Sequence, residues 1–349
     1  MSVNSIKDRR IVIIGGAGFM GHNLALHLKR LGSEVSIIDG LEVNNLTSVI
    51  GNSDNLPHPH LSLAVLYERL QLLREADIPL YVQDARDYHG LSHLIGKTKP
   101  QVILHLAAVS HANRSNKDPY STFDHSLRTL ENALDNARNN IEHFIYISSS
   151  MVYGHFKDGQ VDENSQCEPL GIYGALKFSG EKMVIAYNQA FGLPYTIIRP
   201  SALYGERCIS RRVGQIFIEN ALFGKEITIN GDGSDGLDFT YIQDLINGLT
   251  KVIENDNSRS QIFNLTYGSA RTIADMLDIL RSHFPNISIR NNPKDALMPD
   301  RGTLSVDKAR SILGYEPSWS LDVGYPKYIE WYKDLFKRNP NIFNSTLVN

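Results

Sequence analysis

The chain has 349 residues, 42% apolar and 21% charged, with a formal net charge of −3. That length buries a large core and suggests about two domains, and so mild an acidity leaves no footprint for nucleic acid. Two cysteines without metal-like spacing, Cys167 and Cys208, argue against a disulfide framework and suit a reducing cytoplasm.

The polar start "MSVNSIKDRR" reads as no signal peptide. Strand-length apolar runs follow at 10–15, 34–39, 80–84, 101–105, 143–148 and 195–199, with helix-length segments at 19–31, 89–95, 120–139 and 172–191. Such alternation predicts an α/β fold, a doubly wound parallel sheet of the Rossmann kind covered on both faces. The stretch 52–77 is long for a connection. Leu63, Leu66, Leu70 and Leu73 recur in it at helical spacing, so an extra helix is expected there. Past Pro200 the pattern loosens through "NGDGSDG", then resumes with a strand at 261–265 and a helix at 272–284. The aromatic residues Trp319, Tyr325, Tyr328, Trp331 and Tyr332 read as packing of a terminal lobe. We expect a dinucleotide-binding lobe of residues 1–200 with a return at 236–266. A smaller α/β substrate lobe should come from 201–235 and 267–340. No apolar stretch reaches the roughly 18–20 residues of a membrane span, so a cytoplasmic protein with no membrane partner is expected.

"IVIIGGAGFMGHNLALHL" puts Gly15, Gly18 and Gly21 between the first strand and the first helix, with Phe19 and Met20 opening that helix. Glycines there let the backbone turn tightly and approach a pyrophosphate, whose charge sits at the helix N-terminus. Asp39 ends the second strand, where a carboxylate accepts from adenosine ribose hydroxyls and repels a 2′-phosphate. With no Arg or Lys closely following it, NAD is favoured over NADP. Asp84 and Ala85 end the third strand, placed to read an adenine edge, and Ala107 and Ala108 are small where backbone passes a flat cofactor.

"YISSSMVYG" follows the fifth strand, and "IYGALKFSGEK" begins the next long helix. Tyr173 and Lys177, at i and i+4, share a helix face. A lysine ammonium and a positive nicotinamide beside the phenol would lower its pKa and let it take a hydroxyl proton. A serine at the strand end would hold that hydroxyl in line.

Together, GGAGFMG, HLAA, SSSMVYG, YGALK, IRPSALYG, NGDGSDGLDFTYIQDL and LGYEP resemble the extended short-chain dehydrogenase/reductase family, the NAD-dependent sugar epimerases and dehydratases. The resemblance covers nearly the whole chain. It implies Ser149, Tyr173 and Lys177 as the catalytic set, and Leu106, Ala107 and Pro200 as cofactor-lining positions. It also implies a nucleoside-diphosphate sugar as substrate and a homodimer through helices 120–139 and 172–191. Three departures matter. The Asp–Glu pair that follows the catalytic threonine in the family's 4,6-dehydratases is Ser150 and Met151 here, which disfavours dehydration. The usual diphosphate-binding Asn and Arg are Ala202 and Leu237. Arg207, Arg211, Arg212 and Arg301 are the candidate replacements, with His111 and Ser150 on the sugar side. The expected activity is oxidation at sugar C4, giving either a 4-epimerase or a 4-dehydrogenase. Reduction of a non-nucleotide carbonyl and a non-catalytic NAD sensor remain as alternatives.

Overall fold

The computed structural model describes residues 5–51, 56–109, 112–293 and 298–340, without the side chains of 112–114. Short runs of β-branched and aromatic residues with no exposed face, such as Ile11 to Ile14 and Phe144 to Ile147, can be satisfied only inside a sheet covered on both sides. Seven strands form that sheet, the most buried of them at its centre. The strands β1 (Arg10–Ile14), β2 (Glu34–Asp39), β3 (Leu80–Val82), β4 (Val102–His105), β5 (His143–Ile147), β6 (Tyr195–Arg199) and β7 (Gln261–Asn264) lie in the order β7-β6-β5-β4-β1-β2-β3. Every neighbouring pair is parallel. The expected doubly wound sheet is therefore present. Its order reverses between β1 and β4, and there the carboxyl ends of the strands open a crevice.

The crevice is shaped by glycine. Gly15 has φ +80°, and a Cβ on it would lie 2.6 Å from the Ala107 backbone nitrogen. The turn after β1 and the exit from β4 thus approach too closely for any side chain. Helix α1 (Phe19–Arg30) follows, with Gly18 as an N-cap that has no side-chain cap. A Cβ on Gly21 would meet the Gly16 Cα at 2.4 Å, so the helix sits directly on the turn.

Three expectations need correction. The third strand ends at Val82, which leaves Asp84 and Ala85 in the turn beyond it. The single helix expected at 120–139 is broken: Pro119–Phe123 and α3 (Thr129–Ala137) flank a π-helical turn, Asp124–Arg128. The extra helix exists as α2 (Pro59–Glu75), started by its proline at the first position. Its buried face takes in only part of the predicted leucine stripe. Leu61, Val65, Leu66, Arg69 and Leu73 are buried, while Leu63 and Leu70 are only partly so, and an arginine lies in the middle of the buried face. Residues 52–55 of the predicted stretch lie outside the described residues.

Beyond β6 the chain builds short pairs rather than another large sheet. One joins Ile227–Asn230 to Ile289–Asn292, another joins Gly236–Leu237 to Arg271–Thr272. The helix Leu321–Arg338 closes over this part with Tyr325, Tyr328 and Tyr332 fully buried, so the aromatic cluster is core. Tyr325 donates to the Gly214 carbonyl at 3.0 Å and Tyr332 to Glu219 at 2.9 Å, which satisfies both hydroxyls.

Candidate active site

At the carboxyl ends of β1 to β4 lies a cavity of about 120 Å³. The glycine turn with Phe19 and Met20, then Asp39, Asp84, Ala85, Leu106, Ala107 and Ala108 line it. Both oxygens of Asp39 accept backbone N–H groups, from Ala17 at 2.9 Å and Leu41 at 2.7 Å. Burial nevertheless pushes this carboxyl up from its ordinary value, the two N–H groups and Arg69 opposing it. Two hydrogen bonds leave further lone pairs on the carboxylate for ribose hydroxyls. Asp84 is forked by Arg86, with Nη2 at 2.6 Å and Nε at 2.9 Å from its Oδ2. Burial pushes Asp84 up, but the Arg86 bonds outweigh it and hold the group below the usual range. His125 and Thr129 also reach this cavity, from the π-helical turn and the start of α3. Neither was singled out from the sequence, because a widened turn has no residue signature.

A larger cavity of about 400 Å³ adjoins the first, sharing Met20, Leu106, Ala108, Leu203 and Arg212 with it. It is in the size range of small-molecule sites. Ser149 and Ser150 enter it after β5, Tyr173 and Lys177 from helix α4 (Gly171–Phe191), and Pro200 from the end of β6. The three residues expected to do the chemistry therefore converge.

Their electrostatics differ from the expectation. Lys177 is buried, and its Nζ donates to the Ile147 carbonyl at 2.7 Å, 5.2 Å from the centre of the Tyr146 ring. Burial lowers its ammonium to about 8, with Glu181 pulling the other way. Tyr173 is partly buried. Desolvation raises its phenol above the ordinary value, while the charge of Arg212 and a hydroxyl contact with Ser149 pull it back. Among the neighbouring charges, that of Arg212 pulls hardest on the phenol, while Lys177 directs its Nζ to the end of β5. A sequence distance of four residues places two side chains on one face without fixing where their ends go.

Behind α4 a buried network holds the floor. Arg199 forks Glu181 at 2.7 and 2.9 Å, and Ser148 donates to Glu181 at 2.5 Å. Glu181 follows Lys177 by four residues on the same helix face.

The opposite wall carries the cations. Arg211, Arg212 and Arg301 line the larger cavity, as do Asp235 and Leu237. Arg211 is engaged with Glu219 at 3.5 Å. The Nε atoms of Arg212 and Arg301 are buried without a partner among the described residues. Burial first, then the charge of Arg212, lowers Arg301 to about 10, Asp235 opposing both. Arg207 is not part of this group. Its guanidinium reaches His22 at 3.1 Å, Glu68 at 3.2 Å and Asn23 at 3.3 Å, and it lines neither cavity. His111 lies outside the described residues. Ala202, at φ +35°, and Arg211, at φ +52°, hold left-handed backbone in this wall, a conformation that costs a non-glycine residue roughly 1–2 kcal/mol.

The NAD dependent epimerase/dehydratase family matches residues 11–266 of this chain. The uncharacterized UDP-glucose epimerase YtcB of Bacillus subtilis is 28% identical over 94% of this chain and 99% of its own length. The dTDP-glucose 4,6-dehydratase 1 of Escherichia coli is 25% identical over 93% of this chain and 92% of its own length. Among solved structures, the UDP-glucuronic acid 4-epimerase of Bacillus cereus, in complex with UDP-glucuronic acid and NAD, superposes with a TM-score of 0.82. It is 26% identical, over 93% of this chain and 99% of that one. With the crevice, the glycine turn and the match agreeing, this chain belongs to the NAD-dependent epimerase/dehydratase family and is an enzyme of the extended short-chain dehydrogenase/reductase type.

Proposed function

We propose that the protein is a nucleotide-sugar 4-epimerase. The observation that carries this reading is the convergence of Ser149, Tyr173 and Lys177 on one cavity that adjoins the glycine-turn cavity. The first cavity suits NAD: a turn without side chains for the pyrophosphate, an acidic Asp39 against a 2′-phosphate, and small Ala107 and Ala108 beside the ring. NAD, when bound, supplies the acceptor for the hydrogen of sugar C4 and returns it.

The chain's own residues handle the proton. Ser149 Oγ orients the C4 hydroxyl, and Tyr173 Oη removes its proton and later gives it back. Arg212 stabilises the phenolate in that exchange. The Lys177 ammonium has three donors, of which one is on Ile147, so two remain for the nicotinamide ribose. Arg212 and Arg301 face the substrate diphosphate in place of the family's asparagine and arginine. Buried Met151 has no proton to give, so water elimination lacks its acid at that position.

The resemblance to family dimers has physical support here. Tyr120, Phe123, Ile172 and Phe191 are large, apolar and at least 36% exposed, and all four lie on the two helical regions expected to pair. We infer a homodimer through that face.

The test is incubation with UDP-glucose, UDP-glucuronate and UDP-N-acetylglucosamine, with products read by NMR. A C4 epimer is expected. A released 4-keto sugar with accumulating NADH makes the enzyme a dehydrogenase, and a 4-keto-6-deoxy product overturns the argument from Met151. Tyr173→Phe should lower turnover at least about a hundredfold, the usual contribution of a general acid–base group.

A further inference from the structure

Arg69 occupies the middle of the buried face of α2, at 1% exposure. A guanidinium so placed needs acceptors for all its N–H groups, or the cost of removing it from water is not offset. Two nitrogens have one: Nε and Nη2 both donate to the Arg207 carbonyl, Nε at 2.9 Å. Nη1 is shut from water and has no partner among the described residues. The same side chain lines the cavity formed by the glycine turn and Asp39.

Its charge is also incompletely matched. Burial first, and then the neighbouring Arg207, lower the Arg69 guanidinium to about 10, against the upward pull of Cys208 and Asp39. Asp39 is the carboxylate whose charge acts on it, yet both Asp39 oxygens already accept backbone N–H groups. His22 belongs to the first turns of α1. That ring bonds the Gly18 carbonyl at 2.8 Å, at the mouth of α1, and feels the charges of Arg69 and Arg207. Arg69 and Gly18 line the same cavity, so the guanidinium shares it with the uncapped start of α1, where a dinucleotide's pyrophosphate belongs.

We propose that Arg69 is a cofactor-binding residue: a turn of its guanidinium brings the unpartnered Nη1 onto the NAD pyrophosphate while the group keeps its hold on the Arg207 carbonyl, and so ties segment 205–212 to the loaded cofactor. The anion supplies the acceptor and counter-charge that the protein leaves out. Arg207 continues the tie, because its own side chain grips His22 and Asn23 of α1 and Glu68 of α2. Segment 205–212 ends in Arg211 and Arg212, so cofactor occupancy orders the substrate wall. The inference rests on NAD filling the first cavity and is independent of which sugar is turned over.

The experiment compares the wild type with Arg69→Gln and Arg69→Lys. NAD retained through gel filtration is identified by mass after heat release, and ADP and adenosine affinities are measured by calorimetry. Losing a charge-assisted bond to phosphate should weaken NAD and ADP roughly tenfold to a hundredfold and leave adenosine unchanged. The lysine variant should recover part of the loss. Unchanged ADP binding in Arg69→Gln, or an equal loss for adenosine, overturns the proposal. If neither variant folds, hydrogen exchange on the wild type decides: ADP must protect the amides of 205–212, and equal protection by adenosine overturns the tie. A wild type that binds no NAD refutes the cofactor assignment itself, a different failure.

Discussion

Lys177 and Tyr173 show how burial and neighbours set proton chemistry at the scale of single residues. Burial holds the folded Lys177 ammonium at about 8, below its ordinary 10.5. Between those values the unfolded chain binds the extra proton, so this group makes stability rise with pH from about 8 to 10.5. Lys177→Met should remove that rise. Denaturant unfolding of both proteins at pH 7 to 10.5 checks it, and a constant difference between them would refute the assignment. Tyr173 responds to a different cation. Taking away the Arg212 charge raises the phenol further, so Arg212→Met should move the acidic limb of the kcat/KM profile, where the phenol must lose its proton to act as base, to higher pH. An unmoved limb accompanied only by a higher KM would assign Arg212 to the substrate alone. The place of Asp39 and the glycines on one cavity was legible in the sequence because it follows from backbone position. The ends of Lys177 and Arg212 were not, because long side chains choose partners only after the fold is made.

At the scale of elements, the unit that carries Ser149, Tyr173 and Lys177 is β5, α4 and β6 held by one buried ion pair. Arg199 and Glu181 are 3% and 1% exposed, and Ser148 of the same network is followed directly by Ser149. Glu181→Gln leaves the buried guanidinium without its counter-charge, at a cost of about 3–5 kcal/mol. Chemical denaturation measures this, and Glu181→Leu combined with Arg199→Met should recover most of it. A single variant as stable as wild type would show the pair to be idle. The helical motif "IYGALKFSGEK" thus contributes Tyr173, Lys177 and Glu181 from one face. The sequence displayed all three, but Glu181 acquires meaning only when β6 brings Arg199 beside it, eighteen residues away. The helix α2 teaches the converse. Its period was readable, yet the phase was not: leucines at several turns allow two faces, and packing against α1 selected the one that buries Arg69.

At the scale of the whole molecule, the apolar face of the helices 119–137 and 171–191 is exposed in a single chain. Phe123→Glu should convert a dimer to a monomer by sedimentation velocity at micromolar concentration, without loss of helical signal by circular dichroism. A monomeric wild type would remove the basis for that face. No described helix is long and apolar enough to cross a membrane, so this apolar surface has no membrane span to account for it.

The sequence by itself determined the sheet, its crevice and the family, because strand periodicity, obligatory glycines and Tyr–Lys spacing are local properties that any neighbouring fold must respect. Tertiary structure decided which cations face which cavity. Arg207, two residues past a glycine in the expected substrate segment, turned away to α1 and α2, while Arg69, from a helix with no assigned role, came to the cofactor cavity. A guanidinium reaches several ångströms from its own backbone, and its destination is set by the acceptors and buried space that distant segments supply.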